Sequence, residues 1–278
     1  IAGAAVDPQL HLYERVSVAI GTATIVMRLV RPLRDEELPP SELRDARAVA
    51  LLQGQPPFYL AETEVPVAVW AQHVAMADGA AGPGGGFRFD PVKCQWTPQP
   101  DADWRAPLHT TLLSAATVED RARWPVSQVT PAATRAFCAR FGLRLPTELE
   151  WWFVVRMGAR SRYGWLPAGP LEARANLADL ALKAKVPNLA AFEPENDGFA
   201  ALAGVDVFPQ PSQQHPWGFH GLLGNVAEWC TIAGDRVVAR GGSWLSEPRE
   251  LRVDELPKDR AISSGAWDTV GFRVARDL

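Results

Sequence analysis

The chain has 278 residues, 28 basic and 32 acidic side chains, and a formal net charge of −4. A hydrophobic share of 47% supplies a sizeable core and excludes a disordered chain. The 22 Gly and 24 Pro, with 11 Trp against 3 Tyr, exclude a helical bundle and favour a loop-rich fold pinned by large rings. No basic stripe is present, so a nucleic-acid partner is not expected.

The first element read along the chain is a β-hairpin over Tyr13 to Val30. Val16, Val18 and Ile20 alternate before Gly21, and Ile25, Met27 and Leu29 alternate after it. The apolar stretch Val16 to Val30 contains Thr22, Thr24 and Arg28 and is short for a membrane span. It lacks a signal-peptide cleavage site, so a soluble, cytoplasmic chain without a membrane partner is expected. Arg31 to Arg47, with Pro32, Pro39 and Pro40, reads as an exposed loop or short helix. Val67, Trp70 and Val74 then recur at helical spacing, so Val65 to Met76 is predicted as an amphipathic helix with Pro66 near its first turn. Gly79 to Gly86 is a flexible loop without the Gly-Lys-Ser/Thr ending of a phosphate loop.

Thr130-Pro131 is an N-cap with Pro at N1, opening a helix that carries Phe137 and Phe141 on one face. Gly142 stops it. Thr147 and Glu150 then form a capping box for a helix through Trp151, Trp152 and Val155. After Met157 the chain reads as loop as far as the short strands Ala227 to Thr231, Arg236 to Gly242 and Gly271 to Val274. A loop that long needs an organiser, such as its own packing or a bound ion. No linker separates two cores, so one domain over 1–278 is expected, with 1–57 its less typical hairpin and loop.

Cys94, Cys138 and Cys230 make no C-x-x-C pair and no complete disulfide framework. The five histidines form no H-E-x-x-H, and no G-x-S-x-G elbow is present. A redox metal held by some of Cys94, Cys230, His109, His215 and His220 stays open. Asn176 and the Glu195-Asn196-Asp197-Gly198-Phe199 turn supply hard oxygens of the kind calcium takes. The same residues also suit an ordinary Asx-turn, and the sequence alone leaves both open.

Four separated motifs occur in order: Arg144-Leu145-Pro146-Thr147-Glu148-x-Glu150-Trp151, Gly224-Asn225-Val226-Ala227-Glu228-Trp229, Arg240-Gly241-Gly242-Ser243-Trp244 and Gly271-Phe272-Arg273-Val274-Ala275. Together they resemble the formylglycine-generating enzyme, or sulfatase-modifying factor, superfamily. Weaker matches at Phe58 to Val65 and Pro125 to Val129 extend the resemblance over about residues 16–278, with Arg31 to Leu51 fitting poorly. The fold implied is α+β, a loop-rich C-type-lectin-like body with short strands and two to three helices. The resemblance also implies a structural calcium ion at Asn176, the Leu177 carbonyl, Asp197 and the Phe199 carbonyl, and no organic cofactor. A second family site would use the Gly224 and Val226 carbonyls, Glu228 and an Asx three residues before Gly224. Gly221 stands at that place without a side-chain oxygen, leaving Glu228 to bond nearby backbone amides instead.

The catalytic residues of the family do not carry over. Formylglycine-forming members place a copper-binding cysteine pair shortly after Arg-Gly-Gly-Ser, and Ser246 to Asp268 contains no cysteine. The three-histidine iron site of the ergothioneine-pathway sulfoxide synthases is not recognisable either. The remaining use of the scaffold is display, as in variable proteins of diversity-generating retroelements and several bacterial signalling or conflict proteins. Their binding face would be Leu245 to Val270 here, with Ser246, Glu247, Arg249, Glu255, Lys258, Asp259, Arg260, Ser263, Trp267 and Asp268 as ligand contacts. The function expected is a non-catalytic module that recognises a protein or small molecule. The alternative is a divergent iron- or copper-dependent oxidoreductase of the same superfamily.

Overall fold

The computed structural model describes residues 14–33, 50, 53–77, 85–113, 116–156, 175–190, 192, 194–208, 217–251, 262 and 264–278, without the side chains of residues 248 and 249. Strands β1 (Arg15–Ile20) and β2 (Ala23–Val30) form the expected hairpin around Gly21 and Thr22. Ile25, Met27 and Val30 of β2 point into the core. Strand β3 (Phe58–Ala61) pairs with β2 on one edge and β9 (Ala275–Asp277) on the other, and it is buried at every position because Phe58 and Leu60 enter one core cluster and Tyr59 and Ala61 another. The chain's end thus closes a four-stranded antiparallel sheet in the order β1-β2-β3-β9. Burying each of Phe58 and Leu60 contributes about 1.5–3 kcal/mol.

Helix α1 (Val67–Met76) follows Pro66 and buries Val69, Trp70 and Val74. The next two strands are absent from the sequence reading. β4 (Gly86–Asp90) and β5 (Gln95–Gln99) form a second hairpin, with Asp90 Oδ1 accepting the amides of Val92 and Lys93 in its turn. A short helix α2 (Val118–Ala122) has its own capping box between Thr117 and Asp120.

Helix α3 (Pro131–Arg140) starts as its sequence predicts, Thr130 Oγ1 accepting the Ala133 amide at 3.2 Å. In α4 (Glu148–Arg156), Thr147 Oγ1 accepts from Glu150 N at 3.1 Å, and Thr147 N donates to Glu150 Oε2 at 2.8 Å. Every residue of α4 from Glu150 on is buried, so this helix is a core element rather than an amphipathic one. Arg144 pairs with both Glu150 oxygens at 2.7 Å, fixing the strand-to-helix corner.

The long loop expected after Met157 is interrupted. Asp179 caps a helix α5 (Leu180–Lys185) by accepting the amides of Ala181 and Leu182. Farther on, β6 (Ala227–Ile232) pairs with β7 (Arg236–Arg240) on one side and in parallel with β8 (Val270–Gly271) on the other. The expected strand Gly271 to Val274 is split. Its start pairs in this second sheet, Phe272 and Val274 accept the amides of Val65 and Ala61, and the chain then enters the first sheet as β9.

Trp229, Phe272, Trp70 and Phe137 pack where the sheets, α1 and α3 meet, with Phe137 to Phe272 ring centroids 5.4 Å apart. Trp124, Trp244 and Phe89 anchor a separate cluster under the loops. The tryptophan-rich composition is therefore spent on joining elements that share little regular pairing.

Candidate functional site

The centre of the molecule is charged. Arg273 donates Nε to Glu228 Oε2 and Nη2 to Glu228 Oε1, each at 2.6 Å, and both side chains are fully buried. Trp151 Nε1 adds a 3.1 Å bond to Glu228 Oε2. Burial pushes the Glu228 carboxyl up, while the Arg273 charge pulls it down. The expectation that Glu228 bonds backbone amides is corrected: a guanidinium and an indole take its oxygens. Arg273 also reaches the carbonyls of Ala61, Glu62 and His220, so this pair ties β3, β6 and the 217–226 loop together.

A second buried carboxylate lies beside it. Glu64 is fully buried, and its Oε1 accepts from Asn225 Nδ2 at 3.0 Å. Glu64 Oε2 has no hydrogen-bond partner among the described residues. Burial raises the Glu64 carboxyl to about 8, with the Glu228 charge adding to the rise and Arg273 opposing it. A Cβ placed on Gly221 would lie 2.3–2.5 Å from the Glu64 carboxylate atoms. Glu64 therefore occupies the space that an Asx side chain at 221 would need. The Gly224 and Val226 backbone and Glu228 belong to the same neighbourhood, since Asn225 lies between the first two and bonds Glu64. The sequence reading missed Glu64, Asn225 and Arg273, although all three stand inside quoted motifs.

The Asp197 turn and the Asn176-Leu177 segment lie side by side, and the contacts of Asp197 include that of an Asx-turn. Asp197 Oδ2 accepts the Leu177 amide at 3.0 Å, and Asp197 Oδ1 accepts the Phe199 amide at 2.7 Å. Asn176 donates to the carbonyl of Ala201 at 2.7 Å and to Asn225 Oδ1 at 3.0 Å. Its own Oδ1 is buried without a partner among the described residues. Asp179 Oδ2 accepts the Asp197 amide at 2.5 Å, so two carboxylates share this loop. Burial, and next among the raising causes the Asp179 charge, push Asp197 up to about 7. The Asn176 oxygen and the Asp179 and Asp197 carboxylates are oxygen donors of the kind a hard divalent cation takes, though the carboxylates already accept backbone amides.

The residues of the redox alternative sit differently. Cys230 is fully buried and its thiol is pushed well up by burial; Cys138 is raised to about 12 for the same reason. Neither favours thiolate. Among the described residues, no three of His, Cys, Asp and Glu converge as a metal cage. His215 lies outside the described residues.

The expected binding face is partly visible. Glu255, Lys258, Asp259, Arg260, Ser263 and the Arg249 side chain lie outside the described residues. Ser246 is half-buried: its Oγ accepts the Ser243 amide and its carbonyl accepts the Ala178 amide, so it braces the Asn176 loop. Glu247 starts a turn in which its amide donates to Glu250 Oε2. Trp267 is half-buried and stacks on Phe87 with centroids 4.2 Å apart, while Trp96 meets it edge-on at 5.9 Å. Asp268 is a correction. It is fully buried, its carboxylate accepting Phe89 N at 2.6 Å and Trp96 Nε1 at 3.1 Å. It supports the aromatic ledge from beneath instead of meeting a ligand.

Three small sheets, one of them completed by the non-local strand β9, with loops locked by buried rings, define a C-type-lectin-like scaffold of the formylglycine-generating-enzyme type. The chain belongs to the sulfatase-modifying factor enzyme 1-like domain family, whose profile matches residues 5–278. It is 34% identical over 191 residues to the inactive C-alpha-formylglycine-generating enzyme 2 of Mus musculus, covering 65% of this chain and 56% of that protein. It is 32% identical over 181 residues to a hercynine oxygenase of Mycolicibacterium smegmatis, covering 52% of this chain and 37% of the oxygenase. Over these matches the chain spans about half the length of the curated relatives or less. Among solved structures, Treponema denticola variable protein 1 shares the fold with a TM-score of 0.55 at 17% identity, covering 95% of this chain and 99% of that one.

Proposed function

We propose that the chain is a non-catalytic recognition module that presents a polar and aromatic face over residues 245–270 to a protein or small-molecule ligand, with calcium serving structure alone. The observation that carries this reading is the Trp267 ring, stacked on Phe87 and met edge-on by Trp96, whose indole N–H donates to the buried Asp268. A rigid, partly exposed aromatic ledge beside a polar segment gives area and orientation at little entropic cost. The absence of cysteine between Ser246 and Val270 supports it, because the family's copper chemistry needs thiolates there. A relative named as inactive and a fold shared with a variable protein agree with it.

The hercynine oxygenase relatives favour one rival, an iron-dependent oxidoreductase. Metal analysis of the purified chain, run with an oxygen electrode, separates the two. Calcium without iron or copper, and no oxygen uptake with thiol present, is the expected result. Stoichiometric iron or copper with oxygen uptake overturns the recognition reading.

A further inference from the structure

Glu64, Glu228 and Arg273 are each wholly buried in the centre of the molecule, and their charges do not balance. Arg273 is committed to both oxygens of Glu228 and to the carbonyls of Ala61, Glu62 and His220. An ionised Glu64 therefore has no counter-charge of its own, and burial and the Glu228 charge both oppose its ionisation. Its Oε1 accepts from Asn225 at 3.0 Å, whereas Oε2 has no hydrogen-bond partner among the described residues. A buried oxygen in that state is costly. Oε2 also faces bare main chain: a Cβ on Gly221 would stand 2.3 Å from it, so no side chain of that residue comes between this oxygen and the 217–226 loop.

Charge decides between the possible occupants. Calcium at the family's second site does not fit: Gly221 brings no side-chain oxygen, and both Glu228 oxygens are already taken. A divalent ion would also turn one excess negative charge into one excess positive charge. A proton cancels the excess but leaves the same oxygen, now an O–H, without a partner. A monovalent metal cation cancels the excess and takes oxygen ligands, both carboxylate and main-chain carbonyl. We infer that Glu64 Oε2 and the main chain of the 217–226 loop hold a monovalent alkali cation, sodium or potassium, in place of the family's second calcium. The site involves none of residues 245–270 and stands independently of the recognition face.

Thermal unfolding of the full chain in sodium, potassium or tetramethylammonium chloride tests the assignment, at equal ionic strength, about pH 8 and constant calcium. Sodium or potassium at about ten times its dissociation constant is expected to raise the melting temperature by roughly 3–6 °C over tetramethylammonium, with saturation. Glu64→Gln keeps the acceptor for Asn225 and loses the charge, and it is expected to melt alike in all three salts. In the parent chain, amide shifts on exchanging tetramethylammonium for the alkali ion should centre on Gly221 and Asn225. Equal melting of the parent in the three salts would mean that a proton fills the deficit, and it overturns the assignment. Shifts centred on the Asp197 loop, or an undiminished salt effect in Glu64→Gln, overturn it as well. The two parent measurements decide the matter whether or not the variant folds.

Discussion

Arg273 holds both oxygens of Glu228 at 2.6 Å in a place from which water is wholly excluded. Such a pair contributes little over an apolar replacement of both partners, but breaking one side strands a buried charge. Glu228→Gln and Arg273→Met are each expected to cost about 3–5 kcal/mol. Urea unfolding checks this through the midpoint at constant slope. A loss below about 1 kcal/mol in both variants would mean that the pair does not hold the two sheets and the 217–226 loop together.

The Asp197 loop predicts a calcium-dependent stability. With calcium at about one hundred times its dissociation constant, the gain is about 2.7 kcal/mol, which raises the melting temperature by roughly 5 °C or more. Chelator is expected to remove that gain from the parent chain and to change nothing in Asp197→Ala. Equal melting curves of the parent with and without chelator would count against an ion at Asn176, Leu177, Asp197 and Phe199.

Asp268 predicts a pH dependence of opposite sense to that of an ordinary carboxylate. Burial raises it to about 7, above the 3.8 of the free side chain, against the opposing bonds from Phe89 and Trp96 and the charge of Arg88. Its protonated form is therefore the one the folded state prefers. The stabilisation is complete below about pH 4 and is lost as pH rises through about 7. Asp268→Asn lacks this titration, so its stability should fall less between pH 5 and pH 8 than that of the parent. Glu64 and Asp197, raised to about 8 and about 7, keep a slope of the same sign in both proteins. Identical slopes in parent and variant would refute the role given to Asp268.

What the sequence made legible was chemistry acting over a few residues. Thr130 and Thr147 cap their helices as their spacing predicts, because an N-cap and its partner amide lie three positions apart. The β4–β5 hairpin was not legible. Its turn has no Asn-Gly or Asp-Gly signal, and the residue with positive φ is Cys94, at 49°. That miss propagated to the site. Asp268 sits in a polar segment and reads as surface; only the unread hairpin, through Phe89 and Trp96, buries it. Asp197 and Phe199 are legible through the family motif as a loop that packs on the Asn176-Leu177 segment, whereas the contact between Glu64 and Gly221 depends on a tertiary approach that no local pattern encodes.

That contact predicts a compensating pair of substitutions. Gly221 has φ +60°, and its Cβ position lies 2.3–2.5 Å from the Glu64 carboxylate, too close for any side chain. Gly221→Asn should therefore cost about 1–3 kcal/mol by overpacking, although asparagine itself tolerates this backbone conformation. Glu64→Ala alone leaves the Asn225 amide without its 3.0 Å acceptor and opens a void. In the double variant the introduced asparagine side chain enters the vacated space and offers the Asn225 amide a new carbonyl oxygen. The double-mutant cycle should then show a favourable coupling above about 1 kcal/mol. Strict additivity would show that Glu64 does not fill the place of a side chain at 221, and the cycle is read from urea midpoints of the four proteins at one pH.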